Sequence, residues 1–134
     1  MEQTTIRFAG YAALFDIPDA DRDTIRRGAF AQTLERRSEP VPLLWQHRPD
    51  QRIGTVESIA EDERGLRVVA TIENLTSRGA AMLKRRAANG LSFGYRTRNA
   101  RHSEDGRELL GIDLFEVSLV THPLQHGARV HLIT

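Results

Sequence analysis

Residues 112–121 (IDLFEVSLVT) restrict the fold of this chain most, because they alternate as a β-strand does and are largely apolar on both faces. In a regular strand Ile112, Leu114, Glu116, Ser118 and Val120 share one face, and Phe115, Val117 and Leu119 share the other. Such a strand is covered on both sides, and residues 108–121 are expected to form one long strand. Glu116 is then a carboxylate with little hydration, and it needs a partner: an arginine, a histidine or backbone donors. A structural ion pair with one of the many arginines meets that need. So does a histidine whose ring the carboxylate orients.

The rest of the chain reads as strands with two helices among them. Strands are expected over residues 5–15 (with Gly10 as a bulge or kink), 41–47, 53–59, 66–72, 91–98 and 128–133. The polar run 61–65 reads as the turn of a hairpin and 102–106 as a polar turn. Helices are expected over residues 28–37, where Phe30 and Leu34 lie four apart, and 77–88, capped by Thr76 or Ser77 and stopped at Asn89-Gly90. One mixed β-rich (α+β) domain over residues 1–134 follows, with a closed or nearly closed β-barrel and peripheral helices as its economical form.

Composition excludes several classes of chemistry. The chain has no cysteine, so disulfides, thiol nucleophiles and cysteine-ligated zinc are ruled out. The net charge of +1 is spread without a basic tract, which gives nucleic-acid binding little support. The N-terminus, from Met1 to Thr5, has neither the basic nor the apolar segment of a secretory leader, and no apolar run is long enough to cross a bilayer. An oligonucleotide-binding barrel would alternate exposed aromatics with basic residues on one face. Phe93 and Tyr95 instead point away from Arg96 and Arg98.

Two further side chains are candidates for chemistry. Ser92 lies in Gly90-Leu91-Ser92-Phe93-Gly94-Tyr95, where Leu91, Phe93 and Tyr95 take one strand face and Ser92 and Gly94 the other. A hydroxyl beside a glycine leaves room for a substrate carbonyl, although a serine packed under a neighbour has the same signature. His47 ends the apolar face Val41, Leu43, Trp45, and at such a rim it can be neutral, as a general base must be. It can equally be a histidine that hydrogen-bonds a turn. His122, His126 and His131 suggest a metal, but Pro123 and Gly127 break any helix that would align them, and no metal or other cofactor is expected. His122 is a second candidate partner for His47, because it directly follows the Glu116 strand. Asp16, Asp19, Asp21 and Asp23 lack the spacing and closing glutamate of a calcium loop, so a solvated acidic loop is expected.

Taken in order, these segments resemble the prohead proteases of tailed bacteriophages and phage-derived particles such as gene transfer agents. The resemblance runs through Gly10-Tyr11-Ala12 with Phe15, Ile25-Arg26-Arg27-Gly28-Ala29-Phe30, Leu43-Leu44-Trp45-Gln46-His47, Arg52-Ile53-Gly54 and Gly65-Leu66. It continues through Leu91-Ser92-Phe93-Gly94-Tyr95 and residues 114–120, with Pro123. Each motif is weak; the ordered set is specific.

What the resemblance implies is a serine endopeptidase with a fold similar to herpesvirus assemblin, a β-barrel with surrounding helices that is often dimeric. The nucleophile then matches Ser92, the base His47 and the third member Glu116, with His122 as the assemblin-like alternative. Oxyanion donors are implied among the backbone amides of residues 124–129. The implied substrates are the scaffold segment of the major capsid protein, or a separate scaffold protein, and the protease itself, cleaved inside the immature capsid in the bacterial cytoplasm. Many relatives carry a C-terminal extension, so this short chain is expected to be a compact version or a processed core. A catalytically silent assembly domain on the same fold is the alternative.

Overall fold

The computed structural model describes residues 4–134; residues 1–3, part of the N-terminal segment read above for a leader, lie outside them. The strands are β1 (Ile6–Leu14), β2 (Asp23–Ile25), β3 (Val41–Trp45), β4 (Arg48–Glu61), β5 (Gly65–Ile72), β6 (Gly90–Ser103), β7 (Gly106–Val120) and β8 (Val130–Ile133). The helices are α1 (Ala31–Glu35) and α2 (Arg78–Lys84). All eight strands join one sheet, in the order β2-β7-β3-β4-β5-β1-β8, with β6 paired to β7. The sheet curls around a core that includes Ile6, Phe8, Leu43, Leu66, Ile72, Leu91 and Leu119, each at most 2% exposed. Each such side chain contributes roughly 1.5–3 kcal/mol by leaving water.

The expected barrel is open rather than closed. Near the seam, Gly90 bridges Arg129, with Leu91 N donating to Ala128 O at 2.8 Å and Val130 N to Asn89 O at 2.9 Å. No ladder continues from that isolated bridge, and the sheet is a curled half-barrel. Residues 121–129, which contain Pro123 and Gly127, supply too little extended chain to pair further along β6.

The long strand is present as β7, one residue longer than expected, and it has neighbours along both edges. β7 pairs with β6 along one edge and with β2 and β3, both parallel, along the other. Its alternation is broken where β6 residues Gly94 and Tyr95 face Glu116 and Leu114, which leaves Phe115 as an extra, bulged residue. Beyond the bulge Val117 and Leu119 turn into the core, whereas before it Ile112 and Leu114 do. The single face expected for Ile112, Leu114, Glu116, Ser118 and Val120 is therefore two half-faces, and Phe115 is 54% exposed.

Other corrections are local. The strand β2 is three residues long and escaped detection; it is tied to β7 by a bidentate Asp23–Arg107 pair at 2.9 Å for both bonds. α1 is shorter than the expected helix because its preceding turn uses Gly28 at φ +92°, with the Glu61 carboxylate accepting from Gly28 N and Phe30 N. α2 begins where expected, with Ser77 accepting from Ala80 N. Asp19 is not simply solvated: it accepts from Asp21 N and Asp23 N, and partial burial raises its pKa.

Gln125 anchors the segment after β7. Its side chain accepts from Leu14 N at 2.7 Å and donates to Leu14 O and Ile17 O at 2.9 and 3.0 Å. Gln125→Leu leaves the buried Leu14 peptide groups unpaired, so a loss of about 2–3 kcal/mol in urea unfolding is expected.

Candidate active site

β7 lies between the two strands that carry the other candidates. Antiparallel partners project to the same face, so Ser92 opposite Ser118 and Gly94 opposite Glu116 put Ser92, Ser118 and Glu116 on one side of the sheet. On the other edge of β7, Leu44 and Trp45 of β3 pair with Ser118 and Leu119. The Phe115 bulge gives Glu116 this position. Without it, Glu116 would continue the face of Ile112 and Leu114 into the core.

His47 is not on a strand. Trp45 pairs with Arg48, so Gln46 and His47 are the two-residue loop of the β3–β4 hairpin, with φ of +51° and +59°. Positive φ at both loop residues matches the strand twist of a tight hairpin. For residues other than glycine it costs roughly 1–3 kcal/mol each. The loop is held from β7: Gln46 N donates to Leu119 O, and the Gln46 amide exchanges two 3.1 Å hydrogen bonds with Thr121. Arg48-Pro49-Asp50, directly after the loop, is the start of β4.

The loop brings His47 over Glu116. Nδ1–H of His47 donates to Glu116 Oε1 at 2.5 Å; the carboxylate is 12% exposed and the imidazole 42%. In a neutral ring that bond selects the tautomer with its proton on Nδ1, which leaves Nε2 as the acceptor. Glu116 Oε2 accepts from Ser118 Oγ at 2.7 Å, and Ser118 Oγ accepts from His47 N at 3.0 Å. Among the described residues no hydrogen bond joins Ser92 Oγ to His47, and Ser92 is 8% exposed. Among the described residues His122 makes no hydrogen bond to His47 or Glu116; its Nδ1 lies 3.0 Å from Thr121 Oγ1. His126 and His131 are also remote from the Glu116 carboxylate in hydrogen-bonding terms, and His131 packs edge-on against Tyr11.

A small cavity near β6 is lined by Leu91, Phe93, Tyr95, Ile25 and Gln125 as well as Ser92. Leu124 and Ala128 border the same space, so the segment after β7 and Ser92 line one small cavity. The segment 124–129 adjoins the strand just before Ser92 through the Leu91–Ala128 bond. Ala128 N already donates to Gln125 O, which removes it from the implied oxyanion donors.

Ser118 was not singled out from the sequence, although it stands two residues from Glu116 on the same face. Gly94 was read as room for a substrate; it also makes room for Glu116, because a Cβ there collides with the Glu116 carboxylate. The obstacle is a side-chain tip, so Gly94→Ala is expected to fold while displacing that carboxylate from His47. The Nδ1 proton resonance of His47 is expected to shift or broaden in that variant, with an unchanged melting curve.

The family model described as caudovirus prohead serine protease matches residues 1–134. The prohead protease of Enterobacteria phage HK97 is 32% identical over 131 residues, which cover 92% of this chain and 58% of that protein. The chain thus spans less than two-thirds of the curated relative. In structure, the varicella-zoster virus protease superposes with a TM-score of 0.60 at 18% identity, over 95% of this chain and 63% of that one. The Kaposi's sarcoma-associated herpesvirus protease, in complex with a hexapeptide phosphonate inhibitor, gives 0.62 at 15% identity, over 97% and 65%. At these identities the structural likeness establishes a shared fold.

Proposed function

The chain belongs to the caudovirus prohead serine protease family, and from that premise we propose that it is a serine endopeptidase of capsid maturation in which Ser92, His47 and Glu116 form the catalytic triad. The observation that carries this is the 2.5 Å bond from His47 Nδ1–H to a Glu116 carboxylate on the same sheet face as Ser92. His47 Nε2 takes the Ser92 proton as Oγ attacks a peptide carbonyl, while Glu116 stabilises the imidazolium. The imidazolium then protonates the leaving amine. Water, deprotonated by the same nitrogen, releases the acyl group and regenerates the hydroxyl. Backbone amides of residues 124–129 other than Ala128 are the proposed oxyanion donors, because that segment runs beside the start of β6.

The proposed substrate is the scaffold segment of the major capsid protein, or a separate scaffold protein, together with the protease itself. The reaction is placed inside the immature capsid in the host cytoplasm, with the enzyme acting as a homodimer. Among the described residues no helix is long and apolar enough to cross a membrane. Co-expression with the cognate capsid protein tests the assignment: a new N-terminus on the capsid protein is expected. A capsid protein that stays full length in assembled proheads contradicts it.

A catalytically silent assembly domain draws on one observation, the missing Ser92–His47 hydrogen bond. Catalytic hydrogen bonds are often loose without substrate and tighten in the complex. The same co-expression separates the two readings, since a silent domain supports assembly without trimming.

A further inference from the structure

We propose that Ser118 is a positioning residue for the His47–Glu116 pair, aligning both partners through one hydroxyl; this rests on the triad reading above. Ser118 is 0% exposed near the C-terminal end of β7. A serine hydroxyl has one donor and can accept as well. Here the donor goes to Glu116 Oε2 at 2.7 Å and the acceptor takes His47 N–H at 3.0 Å. Both groups belong to the same pair, so the hydroxyl connects the backbone of the base to the carboxylate that orients its ring.

The connection matters because the strand ladder alone fixes neither side chain. His47 sits in a hairpin loop at φ +59°, where its N–H is outside the strand ladder. Glu116 has two carboxylate oxygens and a rotatable terminal torsion. With Oε2 held by Ser118, Oε1 is aimed at His47 Nδ1; without that bond, rotation carries Oε1 away. Gly94 on the neighbouring strand keeps the space beneath the carboxylate clear. The bulge at Phe115 puts Glu116 and Ser118 on the face of Ser92. A serine that merely filled a strand position would not need both bonds directed at this pair.

Ser118→Ala removes the hydroxyl with little change in volume. A fall in kcat of about 10–100-fold, with KM nearly unchanged, is expected. In a Glu116→Gln background the same substitution is expected to cost little more, because the carboxylate it aims is already gone. The Nδ1 proton resonance of His47 should also broaden or shift in Ser118→Ala. Should Ser118→Ala fail to fold, Ser118→Cys, with a weaker donor of similar size, is expected to give an intermediate kcat. Wild-type kcat in whichever variant folds, or losses that multiply fully in the double variant, overturns the proposal. If that happens while Ser92→Ala is inactive, the triad reading stands and only the role of Ser118 falls. If Ser92→Ala is active too, the triad reading falls with it.

Discussion

Ser92→Ala is expected to give a folded protein that leaves the capsid protein untrimmed, with kcat/KM lower by about 10⁴-fold or more. The size of the effect follows from covalent catalysis. The alanine has no atom to form the acyl-enzyme, and the aligned His47–Glu116 pair then has no proton to remove. The substitution deletes one oxygen from a buried strand residue that, among the described residues, has no side-chain hydrogen bond to lose. Stability should therefore change by less than about 1 kcal/mol. Circular dichroism and the melting curve check the fold; mass spectrometry of the co-expressed capsid protein checks the chemistry. Equal trimming by wild type and Ser92→Ala removes Ser92 from the mechanism.

Glu116→Gln is expected to reduce kcat by about 10²–10⁴-fold while substrate affinity changes little. The amide has nearly the same shape, so the loss isolates the charge and the tautomer. A carboxylate only accepts, and it requires Nδ1–H on His47; an amide can donate to Nδ1 and favour the tautomer with its proton on Nε2. That nitrogen can no longer take the Ser92 proton. The imidazolium that forms during attack also loses its counter-charge. The contact is 12% exposed on the glutamate side, so water substitutes poorly for the missing carboxylate. Capsid trimming at near-wild-type rate in Glu116→Gln would show that the 2.5 Å contact is structural and that a different group orients His47.

Period-two alternation made most of the sheet legible in the sequence, including the β4–β5 hairpin, the polar turn between β6 and β7 and the length of β7. The buried carboxylate was legible as well, because an acid in an apolar strand must find a partner. The regular alternation used for that inference was nevertheless incomplete. The bulge at Phe115 has no compositional mark: it inserts a residue without glycine, and it shows only in the pairing with Gly94 and Tyr95. The hairpin loop at Gln46-His47 is similarly hidden. Such loops favour Asn-Gly or Asp-Gly, whereas this one is held by β7 through Leu119, Thr121 and Ser118. His47 therefore read as a strand end. β2 is too short for a periodic signal, and its support, the Asp23–Arg107 pair, joins residues 84 positions apart. Closure of the barrel depended on how far residues 128–133 pair with β6, which is a tertiary outcome with no local pattern.

Covalent labelling tests most directly whether this sheet face activates Ser92. The intact protein is treated with a peptidyl phosphonate, which bonds to an activated serine hydroxyl, and the site is found by peptide mapping. The expected result is one adduct on the peptide containing Ser92, absent in His47→Ala and slowed in Glu116→Gln. An adduct on a different serine, or labelling of Ser92 at the same rate in His47→Ala, contradicts the account.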